Sequence, residues 1–210
     1  MNKKLDKNRN IDFYLLYTLV FFAVALALYL KFFANGKSLV WSHDGVPQHL
    51  NSLAYYGKYL RKVLYTLFIE HKLSLPLWDM HIGYGSDILT TLHYYVIGDP
   101  LTLLSVFVPA SKTEALYAFL IFLRIYLAGI AFSRYSFYHK NSKQATFMGT
   151  MIYIFAGWTI YAAMKHPYFS NPMIYLPLIL LGIDKIYKKQ KPYVFIWSVA
   201  LSLIHISEPT

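Results

Sequence analysis

Apolar runs divide the chain. Phe13 to Leu30 is an 18-residue stretch without a charge, about 27 Å long as a helix and so able to cross the hydrocarbon core of a bilayer. A cleaved signal peptide is the rival reading. It is disfavoured because the run exceeds an h-region and no small-x-small site follows before Lys31 and Phe33. The pattern predicts a first span over 13–33 behind a cytoplasmic segment 1–12. Further apolar stretches predict spans at 114–134, 145–164 and 172–187, and the start of another at 193–200. Between the first two lies 34–113, which is proline-punctuated, mixed in charge and without a run long enough to span. Within it Leu50, Leu53, Ala54, Leu60, Val63, Leu64, Leu67 and Phe68 recur at helical spacing, with Lys58, Arg61 and Lys62 among them. That is an amphipathic helix over 47–69, opened by Pro47 in its first turn, which rests on the membrane surface or on the bundle. Leu101 to Val108 is apolar but short, and is placed as an interfacial or re-entrant segment. The expected fold class is all-α integral membrane: a multispan helical bundle with a large first external loop carrying amphipathic helices.

Composition agrees with a membrane protein. Hydrophobic residues make up 57% and charged residues 14%, against about 25% charged in soluble domains. A formal charge of +10 raises nucleic-acid binding as a possibility, but the positions of the charges answer it. Three short segments, 1–12, 134–143 and 184–191, hold Lys3, Lys4, Lys7, Arg9, Arg134, Lys140, Lys143, Lys185, Lys188, Lys189 and Lys191, against only Asp6, Asp12 and Asp184. By the positive-inside rule they face the cytoplasm, which puts 34–113 and the short loop around Lys165 to Asn171 outside. A bacterial plasma-membrane location, multi-pass with the N-terminus inside, is the expectation, and no nucleic-acid partner. Cysteine is absent, which removes disulfides, thiolate metal sites and cysteine nucleophiles.

Chemistry concentrates in the external loop. It opens on Trp41-Ser-His-Asp44-Gly-Val-Pro47-Gln48-His49, close beyond the first span. Asp44 there lies where a lipid-linked substrate presents its phosphate and sugar, and a partly desolvated carboxylate can take a proton from an attacking hydroxyl. From the residues alone the favoured reading is the plainer one, that Asp44 is a turn residue before the Pro47 helix. Gly83 and Gly85 permit tight turns but make no phosphate loop. Asp99-Pro100 reads as an N-cap followed by a first-turn proline. His43, His49, His81 and His93 share the loop without zincin spacing, so no metal site is assigned; a divalent ion on aspartates stays open, and no cofactor is expected. Arg124 inside the second span is a functional candidate, or else the structural partner of an aspartate. His166, with Asn171 on the same side, can bind a headgroup or simply end a helix. Residues 201–210 match at every position the translation of a transposase sequencing adaptor. The expectation is therefore a native chain that continues differently beyond residue 200, with no functional weight on His205 or Glu208.

Asp44-Gly-x-x-Gln48 leads into the amphipathic helix. Leu77-Trp78 precedes Gly83-x-Gly85, then Tyr94-Tyr95 and Asp99-Pro100-Leu101, and Asn171-Pro-Met-x-x-x-Pro177 leads on to Gly182-Ile-Asp-Lys. In this order the motifs resemble the N-terminal part of the YfhO-type bacterial multispan membrane proteins. The resemblance implies the C-type glycosyltransferase superfold. It also implies transfer of a sugar from a polyprenyl-phosphate carrier to a cell-envelope polymer such as teichoic acid, at the outer face of the membrane lipid. Asp44 would be the general base, Gln48 its neighbour and Asp99 a second acid. Lys58, Arg61, Arg124 or His166 would stabilise the departing phosphate. The rivals are a transporter or flippase of lipid-linked sugars, which predicts broken helices with polar groups at mid-depth, and a noncatalytic envelope scaffold.

Overall fold

The computed structural model describes residues 2–206, with side chains over 11–202; Glu208 and the side chain of His205 lie outside the described residues. Helix α1 (Asn2–Ala34) buries Phe13, Tyr17, Phe21, Ala25 and Tyr29, one residue every four, while Leu15, Leu19, Phe22 and Leu26 on its other face stay exposed. An apolar outer face of this kind is what lipid requires. The buried stripe meets α4 (Thr113–Tyr138), the hub of the bundle. Phe13 packs on Phe137 at one end and Tyr29 on Phe122 nearer the other, so the two helices run antiparallel. The Tyr17 hydroxyl donates to the Tyr126 carbonyl at 2.8 Å. Gly129 makes room for it, since a Cβ there would stand 2.2 Å from that hydroxyl oxygen.

Helices α5 (Lys143–Ile154), α6 (Gly157–Lys165), α7 (Pro172–Tyr187) and α8 (Tyr193–Ile206) complete the bundle around α4. The Ser142 hydroxyl caps α5 by accepting from Ala145 N–H, and His139 meets Asp184 at 2.8 Å, tying the end of α4 to the end of α7. Among the described residues, Ile11–Ala34 and Ala110–Tyr138 are long and apolar enough to cross a membrane, and α5 with α6 makes a third such stretch if taken together. The architecture is an all-α membrane fold. Where the sequence predicts one helix over 145–164, the structure has two, bent by 44°. Ala156 is extended, the poor helix former Gly157 restarts the helix, and the Thr159 hydroxyl takes up the Tyr153 carbonyl beside the break.

The long connection from α1 to α4 is itself ordered. A π-helical turn (Gly45–Leu50) runs into α2 (Asn51–Phe68). The paired strands β1 (Trp78–Asp79) and β2 (Ser86–Asp87) lead to α3 (Ile88–Leu92), a second π-helical turn (His93–Ile97) and a 3-10 helix (Pro100–Phe107). The amphipathic helix divides its apolar residues. Leu53, Tyr56 and Gly57 are buried, whereas Leu64, Tyr65, Leu67 and Phe68 turn outward. Gly57 is the closest point, where a Cβ would meet the Ser105 carbonyl oxygen of the 3-10 helix at 2.6 Å.

Gly57→Ala should therefore separate α2 from the 3-10 helix. We expect a destabilisation of about 1–3 kcal/mol from overpacking, seen as a lowered Tm of the detergent-solubilised protein with its helix content unchanged.

Candidate functional site

The innermost part of the site forms because Arg124 is the twelfth residue of a 26-residue helix and is only 2% exposed. A guanidinium at that depth needs an internal counter-charge. Asp99, also 2% exposed, supplies it: Arg124 Nη2 donates to Asp99 Oδ2. Arg124 Nε donates to Asn171 Oδ1 at 3.0 Å, and the Asn171 side chain in turn bonds the Asp99 carboxylate. Asp99 Oδ1 accepts the Leu101 N–H at 2.9 Å, capping the 3-10 helix ahead of Pro100. Burial raises the Asp99 pKa, but the Arg124 charge and these hydrogen bonds outweigh it and hold the carboxyl below its ordinary value.

The outer part surrounds Asp44, whose side chain is 39% exposed. The Asp44 carbonyl accepts from both Gln48 N–H and His49 N–H, the second being the i to i+5 bond of the π-helical turn. That turn brings Gln48 back over the carboxylate, and Gln48 Nε2 donates to Asp44 Oδ1 at 3.0 Å. The Tyr95 hydroxyl donates to Gln48 Oε1 at 3.1 Å and so fixes which way the amide faces. Across the carboxylate, His166 Nε2 stands 3.9 Å from Asp44 Oδ2, and His166 Nδ1 lies 3.2 Å from His49 Nε2. His49 is fully buried and its Nδ1 has no partner. Burial, then the neighbouring His166, lowers its pKa to about 4, with Asp44 opposing and Arg124 adding to the shift. His49 is thus neutral at pH 7. The tautomer protonated at Nε2 leaves a lone pair, not an N–H, unpaired at Nδ1, and directs the His166 Nε2 proton toward Asp44. Tyr168 joins the two parts, its ring under the Arg124 guanidinium at 5.7 Å and against His49 at 5.1 Å.

A groove of about 570 Å³, to which Trp41 and Ser42 contribute, opens between the end of α1 and the end of α6. Phe32, Leu39, Tyr161 and Met164 give it apolar walls; Lys37 and Lys165 give it charge. The Lys165 ammonium sits over the rings of Trp41 and Tyr161, 4.4 and 4.3 Å from their centres, and donates to the Tyr161 hydroxyl.

The sequence-derived candidates separate accordingly. Asp44, Gln48 and His166 come together. Asp99 and Arg124 form the buried pair. Arg61 does not face Asp44: its Nη1 donates to the carbonyls of Ser105, Val106 and Val108 and closes the C-terminal end of the 3-10 helix. Lys58 lines a different cleft, with Tyr55 and Asp79. From the sequence His49 reads only as a possible metal ligand, and Tyr95, Lys37 and Lys165 do not stand out as site residues. Lys165, adjacent to His166, was the one a charge reading could have found. No group of three or more His, Asp or Glu among the described residues is arranged to hold a metal ion.

Residues 16–205 match the family described as "Bacterial membrane protein YfhO". The protein named "Uncharacterized protein YfhO" of Bacillus subtilis (strain 168) is 25% identical over 198 residues, which are 87% of this chain and 21% of that protein. The chain thus spans about a fifth of the length of that relative. No solved structure matches.

Two outcomes follow from the electrostatics. Arg124→Ala leaves Asp99 buried without its counter-charge and should destabilise the protein by about 3–5 kcal/mol, while the double variant Arg124→Leu/Asp99→Leu recovers part of that loss; thermal melts in detergent check both. Because the His49 pKa is lowered from 6.5 to about 4, the unfolded chain takes up a proton before the folded one does. This contribution to stability is complete above pH 6.5 and declines as the pH falls toward 4. His49→Gln should flatten Tm against pH in that window.

Proposed function

The chain belongs to the YfhO family of bacterial membrane proteins, and from that premise we propose that the whole protein is a membrane-embedded glycosyltransferase. In this reading it moves a sugar from a polyprenyl-phosphate carrier to a cell-envelope polymer such as teichoic acid at the outer face. The observation that carries the reading is Asp44: a half-exposed carboxylate oriented by Gln48 and facing His166, two residues along the chain from Ser42, which lines a groove that is apolar on its walls and cationic at Lys37 and Lys165. The acceptor oxygen attacks the anomeric carbon and its proton passes to Asp44. The bond from that carbon to the carrier phosphate breaks, and the phosphate leaves with the electron pair. In this reading Lys165, Lys37 and His166 stabilise that growing negative charge. Arg124 and Arg61 are engaged elsewhere, which supports assigning this task to the groove lysines.

The orientation belongs to the same proposal. The loops at 139–143 and 188–191 lie at the end of the bundle where α1 begins, and Asp44 and His166 lie at the other. With the lysine-rich end inside, the N-terminus is cytoplasmic and the site is external. The break between α5 and α6 favours a second reading, transport of a lipid-linked sugar, since discontinuous helices line transport sites.

Asp44→Asn in the full-length protein separates the readings. We expect sugar transfer to fall by about 10²–10⁴-fold at unchanged membrane abundance; full transfer by the variant would remove Asp44 from the chemistry. For orientation, the chain lacks cysteine and Tyr84 is fully exposed. Tyr84→Cys should react with an impermeant thiol reagent on intact cells, and labelling only after lysis would reverse the topology.

A further inference from the structure

A second cleft, of about 340 Å³, lies on the connection between α1 and α4, built from residues that the Asp44 site does not use. One wall is a face of α2. Tyr55, Lys58, Tyr59 and Lys62 stand at i, i+3, i+4 and i+7, so four side chains project to one side of the helix. The other wall is the strand segment from Pro76 to Asp79. Two hydroxyls hold the walls together: Tyr55 donates to Asp79 Oδ2 at 2.6 Å, and Tyr59 donates to the Pro76 carbonyl at 3.2 Å. The turn of the hairpin packs back on Trp78. Gly85 has φ +107°, and a Cβ there would come within 2.9 Å of Met80 Sδ and 3.3 Å of the Trp78 indole.

We propose that this cleft is a binding site for a saccharide that carries a phosphate. Trp78 is 60% exposed although its neighbours on the hairpin are fixed, and an exposed indole beside two phenols offers flat apolar faces to the C–H side of a sugar ring. Lys58 and Lys62 leave the helix one turn apart, about 6 Å along the axis, and their flexible four-carbon stems let both ammonium groups turn to the oxygens of one phosphate. Asp79 is already committed. Its Oδ1 accepts the His81 N–H at 2.9 Å and contacts His81 Nδ1 at 2.8 Å, while Oδ2 takes the Tyr55 hydroxyl. With Lys58 and Lys62 against Asp79, the lining keeps one positive charge in excess, counting no charge on His81. The volume is at the lower end of the roughly 300–1,000 Å³ typical of small-molecule sites, enough for one sugar with its phosphate. On the glycosyl-transfer reading this cleft holds a part of the acceptor away from the hydroxyl that reaches Asp44; the binding itself does not depend on that reading.

The test uses the full-length protein in nanodiscs of zwitterionic lipid, with glucose 1-phosphate as probe and glucose as its neutral counterpart, followed by saturation-transfer NMR. Saturable transfer to the ring protons of glucose 1-phosphate is expected, with weaker transfer to glucose. Trp78→Ala and Lys58→Ala/Lys62→Ala should each weaken binding by roughly tenfold, and Trp78→Phe should retain it. Asp44→Asn should also retain it, which keeps this site distinct from the catalytic one. The proposal is overturned by no saturable transfer, by equal binding of glucose, or by wild-type binding in the Trp78→Ala or double-lysine variants. Loss of binding in Asp44→Asn overturns it too, because the signal would then come from the Asp44 site. So does an effect of the lysine substitutions seen only with anionic-lipid nanodiscs, which would make this face a membrane contact.

Discussion

A guanidinium carried nearly halfway along a membrane-length helix has to meet its counter-charge inside the protein, and much of this structure is arranged around that meeting. To reach Arg124, the connection from α1 must bring Asp99 down to α4, and the cap that Asp99 makes starts the 3-10 helix there. That helix in turn seats α2 through Gly57 and Arg61, both of which contact the Ser105 carbonyl. On the other side Arg124 holds Asn171, which begins α7 and ends the short turn that starts at His166. One buried cation therefore positions both halves of the Asp44 site without touching Asp44 itself. The arrangement is stable only while it is complete, because losing any one partner leaves charge or amide groups unpaired where water does not reach.

The two aspartates of the site show how environment divides labour between identical groups. Asp99 is enclosed, with a hydrogen bond on each oxygen and a full countercharge, and serves as a fixed anion. Asp44 is half-exposed, has one amide donor, and faces an imidazole just beyond hydrogen-bond distance. A carboxylate in the second situation keeps free lone pairs for an incoming proton. His49 completes the contrast: burial keeps it neutral, so it can hold His166 in one tautomer without adding a second positive charge beside Arg124.

Much of this could be read from the chain. Apolar runs mark α1 and α4, helical spacing marks α2, and Asp99-Pro100 marks a helix start; Arg124 is legible as needing a partner because charge is costly in a span. What the chain could not display was pairing over distance. Arg124 and Asp99 are 25 residues apart, His49 and His166 are 117 apart, and no local pattern links them. Arg61 and Lys58 read from the sequence, with Arg124 and His166, as cationic or polar candidates for the departing phosphate, but they face different neighbours, three carbonyls in one case and a separate cleft in the other. The π-helical turn that folds Gln48 back over Asp44 was also hidden, since Gly45 to Leu50 would equally suit an ordinary helical turn.

The interruption at Phe155–Ala156 has a mechanical consequence. Helix α6 is a nine-residue rod with its start at the break and Lys165 at its far end, immediately before His166. Such a rod is about 14 Å long, so a tilt of about 10° at the break carries its tip through roughly 2.4 Å by the same geometry. The 3.9 Å between His166 and Asp44 exceeds hydrogen-bonding distance by about 1 Å. The imidazole–carboxylate contact and the reach of the Lys165 ammonium are accordingly governed by the same angle, that of α6 to α5. A helix unbroken across 143–165 would have held both at a single setting.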